Sequence, residues 1–389
     1  MDYATYIDHE YMVNIRRRLH MYPELSFDIP RTLALIRSEL ESMGVSYTER
    51  YGKSSILAVI NDEKKDFTIA FRADTDALPI TETNDVPYKS RIEGCMHACG
   101  HDVHTAALLG TIRALYAVRD KIRCRVVFLF QASEEGPSGA RLMVEDGVCD
   151  EFDVIVGCHV DNRIDAGSIL ARDGATFACS DNFVITITGQ TGHAAAPHAA
   201  KDPLQEGVCL YEALNRLTRE TDPSVASVLT VTSIQSGNRH NIIPAECKLL
   251  GTLRTHSDDS AAHIRARIKE LCDQIQAKDG FRCDCRLSVG YGAVVCDQRI
   301  SSRVRAAAVA AGVTSLAPVG GAPMYGEDFA FYSARKPSAY FFLGTRNIPE
   351  GKVGMTHNSD FDVDEYALDS AAKVMCSFVM ENMNGIQLD

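Results

Sequence analysis

FTIAFRADTD, residues 67–76, sets a short and largely apolar run directly against two aspartates. The run is too short for an ordinary helix, and its lack of polar alternation suits a strand buried on both faces. Three further runs repeat the arrangement: VVFLF (126–130) before QASEE, VIVG (154–157) before CHV, and AYFFLG (339–344) before a loop reaching His357. Helix-like patterns, such as His104 to Val118, lie between them. This alternation predicts an α/β fold on a parallel or mixed sheet. Ligands in such sheets collect beyond the carboxyl ends of the strands, where Asp74, Asp76, Glu134, Glu135 and His159 fall.

The pattern changes from about Asn182 to Val289. Alternating FVITITG is followed by a helix from about Pro203 to Arg219, then SVLTVTSI, a strand around CKLLGTLRT, a helix from Ser260 to Ala277, and strand-like CDCRLSV. In the second helix Ile264, Ile268, Leu271 and Ile275 mark one buried face. This β-α-β-β-α-β order is that of a ferredoxin-like α+β unit. The α/β pattern returns afterwards, so the unit is read as an insertion at 181–290 within a discontinuous domain of 1–180 and 291–389.

A length of 389 residues suits two domains rather than one. The formal charge of -12 argues against nucleic-acid binding, which needs a basic stripe. The short basic patch Arg16, Arg17 and Arg18 reads as a solvated or salt-bridged helix face. No apolar run approaches the ~20 residues of a membrane span, and the acidic-then-basic N-terminal stretch does not read as a signal peptide. Thirteen cysteines without framework spacing fit a cytoplasmic protein.

Chemistry concentrates in CMHACGHDVHTA, residues 95–106, where two cysteines and three histidines share a dozen positions. With the strand-end residues it offers Cys99, His101, Glu134, Glu135, His159 and His357 as candidate metal ligands. Three protein ligands suffice for a catalytic zinc-like ion. This surplus points to two ions sharing a bridging ligand, a pair that polarises a carbonyl and generates a nucleophile at neutral pH. A thiolate disfavours magnesium and calcium and favours zinc or another transition metal. Glu134 and Glu135 lie just past VVFLF; in an extended segment they point opposite ways, one to ligate and one to act as general base. His97, His104 and His198 are read as hydrogen-bonding or packing residues, Cys95 as no part of a four-cysteine site, and Cys283 and Cys285 as core packing. The zinc-deaminase signature is absent.

RRRLHMYPELSF, FRADTDALPI, HACGHDVHTA, FQASEEGPSGA, GCHV, TGHAAAPHAAKDP, NIIPAECKLLGTLRT, GEDFAFY and HNSDFDVDE follow in this order along nearly the whole chain. Together they resemble the M20 metallopeptidase family, in particular its amidohydrolase subgroup of aminoacylases, hippurate hydrolases and auxin-conjugate hydrolases. The resemblance implies a dinuclear metallohydrolase domain carrying a lid and dimerisation domain, with Cys99, His101, Glu135, His159 and His357 as ligands and Glu134 as general base. It places Asp74 behind the metals and implies that His193 reaches the partner subunit's site, with Asn241 and Arg254 holding the substrate amide and carboxylate. The implied cofactors are two divalent transition-metal ions per subunit, zinc or manganese first, then cobalt or nickel. The implied reaction is hydrolysis of the amide of N-acyl amino acids or similar small conjugates by a homodimer. A dipeptidase or carboxypeptidase of the same family is the alternative, and a non-catalytic metal- or ligand-binding protein is the reading from another class. YGEDFA departs from the family pattern, since Tyr325 stands where a second glycine is usual.

Overall fold

Strands form at each of the four apolar runs: Thr68–Asp74, Arg125–Gln131, Val154–Asp165 and Ser338–Arg346. The first two are buried at every residue, as strands covered on both faces must be. The four are neighbours and mutually parallel, in the order Arg125–Gln131, Thr68–Asp74, Val154–Asp165, Ser338–Arg346. Antiparallel Ile56–Ile60 and Ser46–Thr48 extend one side, and Ser168–Ala171 and Thr314–Leu316 the other, giving a mixed eight-stranded sheet. The protein is an α/β fold with a mixed sheet. This computed structural model describes residues 2–387; Met1, Leu388 and Asp389, which the sequence reading assigns to the discontinuous domain, lie outside the described residues.

The helices His9–Met21, His101–Ala117, Gln298–Ala310 and Tyr366–Asn382 supply apolar faces to the core around this sheet. Phe71 packs its ring on Phe128 at 6.1 Å between centroids and edge-on against Phe378 at 6.2 Å. Of the two readings of the basic patch, Arg16 takes the salt-bridged one, but inside the protein rather than on a solvent-facing helix face. It is fully buried and ion-paired with Asp102, Asp362 and Glu365, whereas Arg17 and Arg18 stay partly exposed on Glu365 and Glu39. A guanidinium withdrawn from water needs such a set of carboxylates.

The chain divides into two compact units. One combines the residues through Gly174 with Val295–Gly320 and the chain from Phe331 onward; the other is Ala175–Val294 with Gly321–Ala330. The second holds an antiparallel sheet in the order Ser227–Ser236, Glu246–Thr255, Cys179–Thr188, Arg282–Val289. Helices Pro203–Leu214 and Asp258–Gln276 pack on it, burying Ile264, Ile268 and Ile275, while Leu271 is only partly covered. Gly321–Ala330, which the sequence reading leaves with the first unit, groups with the second. Ala178 N–H donates to the Tyr325 carbonyl at 2.9 Å, and His256 Nε2 bonds the Pro323 carbonyl at 3.0 Å.

Candidate metal centre

The site lies in the first unit, at the carboxyl ends of the parallel strands, and each of its parts is positioned by a local backbone feature. Gly100 starts the His101–Ala117 helix at φ +86°, and a Cβ there would stand 2.4 Å from Val160 Cγ2. Only glycine tolerates both that dihedral and that approach, so Cys99 and His101 are delivered to the ends of the strands. His357 reaches the same place from a late loop by donating its backbone N–H to the Ala98 carbonyl at 2.8 Å.

Glu134 and Glu135 are in a turn, not the extended segment that the sequence suggests. Ser133 adopts φ +60°, and Asp76 captures the N–H groups of Glu134 at 2.9 Å and Glu135 at 3.2 Å. Even so, both carboxylates come within reach of His101: one ligand atom from each of the three lies within 4.8 Å of the others.

Cys99, His101 and His159 form a second such group, and Cys99, Glu135 and His357 a third. Cys99 Sγ stands 3.2 Å from His159 Nε2 and 3.3 Å from His357 Nε2, and the latter is 3.1 Å from Glu135 Oε1. His159 Nδ1 bonds the Val160 carbonyl at 2.8 Å, which fixes the tautomer and leaves Nε2 to the centre. Asp74 binds Arg72 Nη1 at 2.6 Å and His104 Nδ1 at 2.6 Å, with His101 Nε2 at 3.7 Å. His104 Nε2 accepts the Val160 N–H at 3.0 Å, so this histidine is fully used in support.

The donor set fits a metal. His101 is buried, yet neither ring nitrogen makes a hydrogen bond. Burial acts against its charge, but Asp74 and Asp76 push its pKa up to about 10, so the surroundings favour a positive centre. Burial, together with Glu135 and Glu134, holds the Cys99 thiol well above its ordinary range. A thiolate in that field requires a cation beside it. Among the other cluster residues, His97 is buried with its pKa lowered by burial to about 3. Outside the cluster, His198 in the second unit is exposed on a short turn. Cys95 turns its sulfur to the Pro23 carbonyl.

The model of peptidase family M20/M25/M40 matches residues 70–381. The chain belongs to this family. N-acyl-L-amino acid amidohydrolase of Geobacillus stearothermophilus is 37% identical over 282 residues, covering 72% of this chain and 76% of that protein. Thermostable carboxypeptidase 1 of Saccharolobus solfataricus is 34% identical over 365 residues, covering 92% of each. Among solved structures, Bacillus subtilis YXEP, a dinuclear metal-binding peptidase from the M20 family, matches with a TM-score of 0.84 and 29% identity over 97% of this chain and 99% of that one. This M20 member is a metal-dependent amidohydrolase.

The remaining residues singled out in the sequence belong to the second unit of the M20 chain. His193 is exposed, with Nδ1 accepting the Ala195 N–H at 3.0 Å. Asn241 adjoins it, its carbonyl accepting the Ala194 N–H at 3.1 Å. Arg254, on the Glu246–Thr255 strand, donates from Nη1 to the Asp181 and Leu253 carbonyls, each at 3.0 Å. The sequence reading places Asp76 among the strand-end residues without a specific role and does not single out Asp102. The i, i+2 spacing of Asp74 and Asp76 is a signal for the first, because both follow one strand. Asp102 is tied to Arg16 and His20 at 2.8 Å each, and nothing in sequence order marks partners that far away.

Proposed function

We propose that this M20 amidohydrolase cleaves the amide of N-acyl amino acids or closely similar small conjugates, releasing a carboxylic acid and an amino acid. The observation that carries the reading is the convergence of Cys99, His101, Glu135, His159 and His357 around a centre that Glu134 also reaches. The five would hold two divalent transition-metal ions, zinc or manganese first and cobalt or nickel next, since a thiolate and three imidazoles are too soft a set for magnesium or calcium. Bound ions supply carbonyl polarisation and an activated water at neutral pH. Glu134 takes the proton of the attacking water and returns it to the leaving amine nitrogen, while Asp74 and Asp76 orient the ligands from behind.

His193 is assigned as a donor to the developing oxyanion in the partner subunit's site, with Asn241 and Arg254 holding the substrate amide and carboxylate. Exposed apolar side chains on the second unit support a homodimer through that inserted lid domain. Leu204, Val208 and Tyr211 on one helix are 38%, 46% and 41% exposed, and Ile234 on the adjoining edge strand is 43% exposed. Among the described residues no helix is long and apolar enough to cross a membrane, and the net charge of -12 disfavours nucleic acid. A cytoplasmic location fits thirteen cysteines among which no disulfide forms in the described residues.

The 34% identity to a carboxypeptidase over nearly the whole chain favours peptide hydrolysis as the second reading. The test is a substrate screen of chelated enzyme reloaded with zinc, manganese, cobalt or nickel. N-acetyl and N-benzoyl amino acids should be cleaved with a kcat/KM well above that of dipeptides and longer peptides. The reverse order would establish the peptidase reading instead.

A further inference from the structure

The second unit carries three thiols that the hydrolytic reading leaves without a role. We propose that Cys272, Cys283 and Cys285 form a thiol–disulfide exchange site, in which a small disulfide such as oxidised glutathione reacts at a strand cysteine and Cys272 closes an internal disulfide. This goes beyond the hydrolytic function and does not depend on it.

Cys283 and Cys285 alternate along Arg282–Val289, so both side chains point to one face of the sheet, and both pack against the core that contains Cys272. Cys272 is 2% exposed on the helix Asp258–Gln276. One turn further along that helix, the Gln276 side-chain oxygen accepts the Cys283 N–H at 2.8 Å, which fixes this part of the helix over the strand. Cys272 and both strand cysteines thus belong to the same packed layer between helix and strand. Three sulfurs brought together from two elements are more than ordinary core packing requires.

Reactivity divides between them. Arg282–Val289 is an edge strand, and Cys283 and Cys285 are partly exposed, so an incoming disulfide meets them before the buried Cys272. The hydrogen bond from Cys272 also lowers the pKa of both strand thiols, whereas burial raises those of Cys95, Cys124, Cys149, Cys179 and Cys376. A strand thiolate attacks one sulfur of glutathione disulfide, forming a mixed disulfide and releasing one glutathione thiolate. Cys272 gives up its proton and attacks the strand sulfur, expelling the second glutathione. Two protein thiols are oxidised to one disulfide, and one glutathione disulfide is reduced to two thiols. Either strand cysteine can serve, because both pack against the core that holds Cys272.

The test uses the metal-loaded full chain, equilibrated in glutathione buffers of rising oxidised fraction, acid-quenched, alkylated and digested with trypsin. Cleavage after Lys269, Lys278, Arg282 and Arg286 separates Cys272 from the strand pair. The expected product is a reversible disulfide joining the 270–278 and 283–286 peptides in the wild type and in both Cys283→Ser and Cys285→Ser, absent from the double variant. In Cys272→Ser, glutathione should stay on the strand as a mixed disulfide. If that variant does not fold, the two single strand variants decide alone. Loss of the linkage from either of them would overturn the proposal, as would Cys272 recovered as an alkylated thiol at every buffer ratio.

Discussion

Asp76 accepts the backbone N–H of Glu134 through Oδ1 at 2.9 Å. Its other oxygen takes the N–H of Glu135 at 3.2 Å, and Oδ1 also lies 3.5 Å from His101 Nδ1. One carboxylate thus holds the backbone of the proposed general base and of one proposed ligand, and lies against the ring of another. In Asp76→Asn, an NH2 group would face a backbone N–H or the imidazole, and one of these contacts would become repulsive. Metal affinity or kcat/KM is expected to fall about 10- to 100-fold, the usual cost of losing a group that orients metal ligands. Metal titration alongside kinetics would check this, and wild-type values for both would remove Asp76 from the role.

The central sheet is legible in the sequence because its strands are covered on both faces, so that FTIAF and VVFLF carry no polar alternation to confuse the reading. The proposed ligands stand out for a related reason: only Gly100 separates Cys99 from His101, and Glu134, Glu135 and His159 lie within a few residues of the ends of apolar runs. The turn at Glu134 is not legible, since it depends on Asp76, 58 residues away, and on a positive φ at Ser133 that serine does not advertise. Arg16 misleads for the same reason. Three consecutive arginines read as a solvated or salt-bridged helix face, and only the fold brings Asp102 and Asp362 to the first of them and buries it.

Cys99 should be protected from alkylation in the metal-loaded enzyme and become reactive after chelation. With its pKa raised by burial and by two glutamates, the sulfur is a thiolate only when a cation compensates it, and coordination then occupies its lone pairs. Limited alkylation followed by peptide mass spectrometry gives the readout. Equal labelling of Cys99 with and without chelator would exclude it as a ligand.

Asp362 lies against Arg16, Tyr88 and Lys352, and although burial raises its pKa, Arg16 and Lys352 bring it below the ordinary carboxylate range. With the folded pKa depressed, the stabilisation is complete above the unfolded value of about 3.9 and is lost as pH falls through the folded one. Asp362→Asn should therefore cost about 1.5–3 kcal/mol at neutral pH, the range for hydrogen bonds to charged groups. The difference from wild type should shrink below about pH 4. Urea unfolding at a series of pH values measures both, and a constant difference across that range would contradict the assignment.

Catalysis should need two subunits if His193 of one chain serves the centre of the other. His193 lies in the second unit, exposed beside a short ladder in which it pairs with Ile242, and none of the metal-competent groups in the described residues includes it. Its Nδ1 is used by the Ala195 N–H, which leaves Nε2 to carry a proton as a donor. Loss of one oxyanion donor costs roughly 10²- to 10³-fold in turnover, so His193→Ala should be nearly inactive. Glu134→Gln should be nearly inactive too, because its amide cannot take the proton and general bases contribute about 10²- to 10⁴-fold. Mixed under conditions that let subunits exchange, the two variants form heterodimers in which one site has both Glu134 and His193 intact. Random pairing makes half the dimers mixed with one working site of two, so about a quarter of wild-type activity should return under two-fold symmetry. Metal content unchanged in both parents would show that each lost chemistry rather than ions. If exchange is demonstrated and no activity returns, His193 does not serve the partner subunit's site: it acts within its own chain or takes no part.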